Sequence, residues 1–500
     1  MSHTDQIRPQ LLDQKAAVSG ACSERLTPPG GAGSFVSSPA LAIIGGLISQ
    51  LLKAIVILYI ARAFGPAEFG SFSFAFSING ILLVISQFGL PVFGAREVAQ
   101  TGRLDKGLLQ AITGARFLLG LSTTAVALAI LHFASGATRP EIGLVAGFGL
   151  GNVAMSGFYD WAFQGMGRMD IWALLNITCQ GMWLIFTFGV VFANSSIVLL
   201  AFGYAIAGLA ASLIGWPWLR ALVSKSSSTF PVHIGRMKSV LGAGANLGIA
   251  TLFTAVLVWS DTIAVRWLKG PHAAGLYSAG NRAALALSML SAYYVLGAFP
   301  GLSHSAIDSP REYERQFQNA FEDLAFLFVP GAIWAFFYTP KIMLVLFNNP
   351  EYVEGEGVFR IFLLVLLVNV YSYLYAMGAL VAHRRDRVYR WGYAASTATL
   401  LALCPLFILK WGIEGAASAA LFSQCLALVI FVVQSRGLVH PKVGKALGIP
   451  VLLAVPAVLL GTVLHLGFWT SAAALLVTYA AIIVWRLPAL SPMEKKATIS

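Results

Sequence analysis

Five charged residues stand inside stretches that are otherwise apolar: Lys53, Arg116, Asp160, Asp261 and Arg282. A charge at the centre of a helix in lipid costs roughly 2.5–3.5 kcal/mol on insertion scales, so such groups usually face protein or water and carry function. Lys53 lies near the middle of its stretch, with Gln50 and Gly46 on the same helical face at i−3 and i−7. It is too central to reach the membrane surface by snorkelling. It therefore points into a hydrated cavity, where it would attract an anion, or toward a structural carboxylate. Asp261 and the pair Asn281–Arg282 flank a tight Gly270-Pro271 turn. Counted back from that turn, Asp261 and Arg282 lie about 14 and 18 Å along their helices at 1.5 Å per residue. Those depths allow a structural ion pair. They also allow Arg282 to meet a phosphate in one conformational state while Asp261 binds a coupling cation, Na⁺ or H⁺, or releases the arginine. Arg116 and Asp160 sit near the ends of two further stretches, where they either pair with each other or let Arg116 greet an anionic headgroup from the inner leaflet. Tyr159, Trp161 and Phe163 beside Asp160 suit the aromatic belt of a membrane interface.

The elements that must position these residues follow from composition. Of 500 residues, 58% are hydrophobic and only 11% charged, with mean hydropathy +0.77. A soluble globular chain would carry about a quarter of its residues as charges. The chain is therefore expected to be an all-α polytopic membrane protein. A span needs about 20 apolar residues, and about fourteen can be placed: near 40–63, 71–95, 108–133, 142–163, 171–193, 196–219, 241–268, 274–303, 321–347, 358–382, 389–410, 415–435, 446–466 and 469–486. With the N-terminus inside, the inner segments hold 23 of the 33 Lys and Arg, the outer ends 7. That bias predicts an even number of spans with both termini cytoplasmic. It also accounts for the net charge of +12 without a nucleic-acid partner.

The stretch from Trp259 to Arg282 has an earlier counterpart at Arg62 to Ser73. Arg62, Gly65-Pro66, Gly70, Phe72 and Ser73 correspond to Arg266, Gly270-Pro271, Gly275, Tyr277 and Ser278. Two pseudo-symmetric six-helix lobes are predicted, and repeats of this kind place a substrate site between them near the bilayer midplane. The expected organisation is a disordered cytoplasmic tail over 1–38, an N-lobe over 39–223, a cytoplasmic linker over 224–239 and a C-lobe over 240–438. A C-terminal helix pair over 439–490 and a cytoplasmic tail over 491–500 complete it. The polar stretch 304–320 carries Tyr313, Phe317 and Phe321 at four-residue spacing and is expected to form a short interfacial helix.

Other chemistries find little support. The histidines, His132, His272, His304, His383 and His465 among them, form no ligand cluster, so no metal or other cofactor is expected. Cys22, Cys179, Cys404 and Cys425 have neither zinc-ligand nor disulfide spacing and read as small core residues. There is no phosphate loop of the G-x-x-x-x-G-K-[ST] type. Glu351, Glu354 and Glu356 form a solvated acidic face rather than a pair for glycosyl chemistry. No enzymatic activity is expected.

The motifs resemble those of the polysaccharide-type, Wzx-like flippases of the multidrug/oligosaccharidyl-lipid/polysaccharide exporter superfamily. The matching pieces are Arg62-Ala-Phe-Gly-Pro-Ala-Glu-Phe-Gly70, Gln87-Phe-Gly-Leu90, Trp161-Ala-Phe-Gln-Gly165 with Arg168, Asp261-Thr-Ile, and Gly275-Leu-Tyr-Ser-Ala-Gly-Asn-Arg282. The similarity covers roughly 40 to 440. Where such proteins often carry an acidic residue before Phe-Gly-Leu, this chain has Gln87. The resemblance implies two lobes around a central cavity in the cytoplasmic membrane of a bacterium. It further implies alternating access and transfer of an undecaprenyl-pyrophosphate-linked oligosaccharide from inner to outer leaflet. Lys53, Gln50, Arg116, Arg282 and Asn281 would line a cationic cavity, and Asp261 and Asp160 would serve ion coupling or gating. Membrane lipid and polysaccharide polymerase or assembly proteins would be partners. Alternatives are an ion-coupled multidrug or metabolite antiporter, a cell-wall lipid precursor flippase, and a membrane glycan polymerase or ligase.

Overall fold

A computed structural model describes residues 39–133, 136–223, 234–462 and 468–480. The expected tails, 1–38 and 491–500, lie outside the described residues, as do 224–233 of the expected linker and parts of both C-terminal spans. The described chain is helical throughout, and its only bridge of β type joins Leu104 to Val223. Nine of the described helical segments are long and apolar enough to cross a membrane.

The first half contains α1 (39–64) and α2 (66–87), followed by α3 (Leu90–Thr101), α4 (Lys106–Phe133) and α5 (Arg139–Ala154). After these come a short α6 (Asp160–Gly165), α7 (Met169–Phe192) and α8 (Val198–Leu222). The second half contains α9 (234–269), α10 (271–308), α11 (Pro310–Phe337), α12 (Thr339–Phe347) and α13 (Glu356–Tyr373). It closes with α14 (386–411), α15 (413–434), α16 (Val443–Thr462) and α17 (Phe468–Ala480).

The repeated Gly-Pro turns fold alike. Gly65 has φ 72° and ψ 175°, and Gly270 has φ 88° and ψ 176°. Only glycine takes that backbone without strain, and the proline that follows opens the next helix with no amide hydrogen to lose. The first half packs around a ring cluster in which Trp183, fully buried, stacks near Phe76 and Tyr204 and donates from Nε1 to the Leu200 carbonyl at 3.1 Å. Large apolar side chains such as Phe192, Ile185 and Leu213 point outward instead, as they should where the solvent is lipid.

One expectation is corrected. The stretch 304–320 forms no separate interfacial helix. Chain 304–308 ends α10, and Ser309 caps α11, which runs unbroken from Pro310. Tyr313, Phe317 and Phe321 are buried, so the stripe faces the protein core, and the charges that mask it in sequence face outward on the same helix.

α16 packs on α11, and α17 is pinned to α11 beside Pro330. The Tyr479 hydroxyl donates to the Leu327 carbonyl at 2.9 Å and accepts from the Gly331 amide at 3.0 Å; Trp334 Nε1 donates to Ser471 Oγ at 2.8 Å. Tyr479→Phe removes two bonds, each contributing about 1 kcal/mol. A lower thermal midpoint in detergent is expected, and an unchanged midpoint would mean that α17 is held by packing alone.

Candidate functional site

Lys53 on α1 and Arg282 on α10 come from opposite halves of the chain and meet at one aromatic ring. The Lys53 ammonium lies 5.5 Å from the Phe76 ring centroid, and the Arg282 guanidinium carbon also lies 5.5 Å from it. Arg282 stacks further on Trp259 at 4.4 Å and donates from Nη2 to Ser77 Oγ at 3.2 Å. Among the described residues neither cation has a carboxylate within salt-bridge distance. Ring faces stabilise a cation by its quadrupole but leave its charge unneutralised. The arrangement can therefore attract an anion into the space between the halves. Gln50 lies half-buried one turn from Lys53. At the next turn Gly46 lets the Tyr293 hydroxyl of α10 approach closely.

Asn281 precedes Arg282 and points elsewhere, because consecutive residues on a helix are about 100° apart. It lines a cavity of about 70 Å³ inside the second half, together with Asp261, Ser288, Asn369, Ser423 and Gln424. That volume suffices for several waters. Asp261, 4% exposed, accepts from the Tyr277 hydroxyl at 2.7 Å, the Thr262 amide at 2.6 Å and Thr262 Oγ1 at 3.3 Å. Its partners are thus neutral donors rather than Arg282.

At the Gly-Pro end the two halves close on each other. Gly70 lies against the Pro271 carbonyl, and reciprocally Gly275 against that of Pro66, with no room for a Cβ at either position. Arg266 forms a bidentate pair with Glu141 across the halves, Nη2 to Oε2 at 2.7 Å, and donates also to the Gly136 carbonyl at 3.0 Å. Both side chains of the pair are buried. Its counterpart Arg62 reaches the other way, donating to the Val345 carbonyl at 2.6 Å, while the Tyr352 hydroxyl donates to the Ala61 carbonyl at 2.9 Å. The like geometry of the two turns therefore produces a two-way closure, one arm of it ionic.

A sequence-family comparison settles where this architecture belongs. The model of the family described as polysaccharide biosynthesis protein matches residues 37–306, more than half of the chain. The chain belongs to the polysaccharide biosynthesis protein family. No curated protein matches it in sequence. Among solved structures, this member of the polysaccharide biosynthesis family is similar in fold to the lipid II flippase MurJ in an inward closed conformation. The TM-score is 0.65 at 12% identity, covering 90% of this chain and 100% of that one. It is similar also to a multidrug resistance MATE family transporter of the MOP superfamily in an inward-facing conformation (TM-score 0.61, 12% identity, 79% and 98% covered). An outward-facing MATE structure gives 0.51 at 14% identity, with 79% and 93% covered. The fold of this polysaccharide biosynthesis family member is that of these membrane transporters.

Of the residues singled out from sequence, the structure of this family member brings together Lys53 and Arg282, with Gln50 nearby, and separately Asp261 with Asn281. Arg116 belongs to neither group. It is 3% exposed and donates to the carbonyls of Phe158 at 3.0 Å and Met155 at 2.6 Å, satisfying backbone where α5 ends. Asp160 opens α6, half-buried, close to that turn. Phe76, Ser77 and Trp259, which hold the two cations, carry no sequence signal beyond being ordinary residues of apolar helices. Glu141 does carry one: Thr138-Arg-Pro-Glu141 is a capping-box pattern, and the Thr138 amide donates to its carboxylate at 2.9 Å. The pattern marks a helix start but not the arginine 125 residues away.

Proposed function

We propose that this chain is a flippase that carries a lipid-linked oligosaccharide, joined to its polyprenyl carrier through pyrophosphate, from the inner to the outer leaflet of the cytoplasmic membrane by alternating access. The observation that carries the reading is the Lys53–Arg282 pair: two cations, one from each half, share a ring, and among the described residues neither has a carboxylate within salt-bridge distance. A sugar-diphosphate headgroup cannot cross hydrocarbon unaided, because an unpaired charge in a low dielectric is too costly. Two cations between the halves offset that cost while the polyprenyl tail stays in lipid. No covalent step is needed. The matched family and the inward-oriented transporters of similar fold support the same reading.

The test is binding of a polyprenyl-diphosphate saccharide to the purified protein by native mass spectrometry, beside a saccharide lipid of equal size with a neutral linkage. Retention of the diphosphate lipid alone is expected; equal retention of both would remove the cationic pair from the account.

Asp261 fits a coupling role in the same cycle, since it faces a cavity large enough for several waters, with Asn281 and Gln424 on its walls. If Na⁺ or H⁺ drives the lipid, Asp261→Asn should retain lipid binding and lose the acceleration produced by an imposed ion gradient. Full acceleration in Asp261→Asn would leave product removal as the driving force. The same cavity is the feature that favours an ion-coupled antiporter, which would bind the neutral-linked or cationic compound instead of the diphosphate lipid.

A further inference from the structure

Helix α2 ends at a sharp elbow that composition alone does not account for. Its last residue is Gln87, and the next two take left-handed backbone, Phe88 at φ 41° and Gly89 at φ 71°, before Leu90-Pro91 starts α3. A phenylalanine at positive φ is strained and persists only where its surroundings hold it there. What holds it is α9, on the other half of the chain. Gly244 and Gly248, two residues one turn apart, form a notch that receives the elbow. A Cβ at Gly248 would lie 2.9 Å from the Phe88 carbonyl carbon and oxygen and 3.0 Å from Phe88 Cδ2, and one at Gly244 would lie 3.1 Å from the same oxygen. Any side chain at Gly248 would push the elbow out.

The elbow sits at the opposite end of α2 from the Gly-Pro closure. Gly70, at the start of α2, meets Pro271; Phe88, 18 residues on, is about 27 Å away along the helix axis, close to the thickness of a hydrocarbon core. Phe76 and Ser77, which hold the two cations, lie between. The two halves thus touch at both ends of α2, on either side of the two cations. Alternating access requires each closure to open in turn, and the two are built differently. The Gly-Pro end is locked by an ion pair, whereas the elbow end is locked by strained backbone seated in a glycine notch.

We propose that the Phe88–Gly89 elbow in the Gly244/Gly248 notch is the second gate, a catch that springs open when the halves part because straightening lets Phe88 return to an unstrained backbone. This rests on the alternating-access reading but not on the identity of the cargo. With the elbow released, α2 and α3 can move away from α9 as one unit, since α3 is clamped to α6 in its own half, where Gly94 packs on Trp161 and Gly165 on the Ala95 carbonyl.

The experiment uses full-length protein with the native cysteines replaced by serine and a single reporter, Ser77→Cys, in membrane vesicles of both orientations. A membrane-impermeant thiol reagent is applied to each face. Gly248→Ala should raise labelling from the α3 face at least tenfold and leave the Gly-Pro face unchanged. Phe88→Gly, which keeps the turn and removes its strain, should lower labelling from the α3 face at least threefold. Thermal midpoints within a few degrees of the parent show that each variant is folded. Equal increases from both faces in Gly248→Ala, or no change in either variant, would overturn the proposal. Labelling needs no substrate, so a failure of the diphosphate-lipid reading leaves this result standing, and the reverse holds as well.

Discussion

Lys53→Ala should reduce translocation of a polyprenyl-diphosphate saccharide by roughly 10- to 150-fold, while Lys53→Arg should keep a substantial part of it. The range follows from losing one charge-assisted bond to phosphate, about 1.5–3 kcal/mol, at tenfold per 1.4 kcal/mol. Folding should be little affected, because among the described residues Lys53 makes no ion pair whose partner would be stranded, and its ammonium lies over the Phe76 ring. Removing a cation beside Arg282 relieves repulsion in the empty protein. Arginine keeps the charge and the ring contact, but its planar fork presents donors in a different geometry. Arg282→Lys should be the harsher conservative change, since stacking on Trp259 at 4.4 Å and the bond to Ser77 both use the flat guanidinium. Rates of headgroup movement for the four proteins, measured at matched protein amounts, check the order wild type, Lys53→Arg, Arg282→Lys, Lys53→Ala. Wild-type rates in Lys53→Ala would refute the assignment.

Glu141→Ala is expected to have the largest effect on conformation. It leaves Arg266 buried against Phe74, with the Gly136 carbonyl as its remaining acceptor among the described residues. Stranding one partner of a buried pair costs about 3–5 kcal/mol. The pair joins the two halves at the Gly-Pro end, so its loss weakens the closure seen here, and the protein should open there. Spin labels at Arg139 and Lys269, both exposed beside the pair, should report a longer and broader distance distribution in Glu141→Ala than in the parent. Exchanging the two charges should restore the short distance only in part, because Glu141 also caps the N-terminus of α5, where an arginine would oppose the helix dipole. An unchanged distribution in Glu141→Ala would show that the Gly70 and Gly275 contacts alone keep this end closed.

The features legible in sequence are those with local causes. The Gly-Pro turns could be read at both positions because glycine and proline dictate their own backbone, and both turns take the same angles. Lys53, Asp261 and Arg282 stood out because charge is expensive in lipid. Their partners did not, because a ring face or a tyrosine hydroxyl becomes a partner only through tertiary packing. Asn281 and Arg282 are neighbours in sequence yet face different surroundings, one the cavity beside Asp261 and the other the Phe76 and Trp259 rings, as helix periodicity requires. The stripe at Tyr313, Phe317 and Phe321 shows the converse: its period was clear, but period does not say whether a stripe meets lipid headgroups or protein. The Phe88–Gly89 elbow was visible only as a short motif, and its notch on α9 lies more than 150 residues further on.

The most direct measurement is headgroup translocation in proteoliposomes holding the purified protein and two fluorescent lipids, one a polyprenyl-diphosphate oligosaccharide and the other the same saccharide on a neutral linkage. Wild-type protein should move the diphosphate lipid and leave the neutral one in place, and Lys53→Ala should move neither. Movement of the neutral lipid at the same rate, or of the diphosphate lipid by Lys53→Ala at the wild-type rate, would contradict a path built around the Lys53–Arg282 pair.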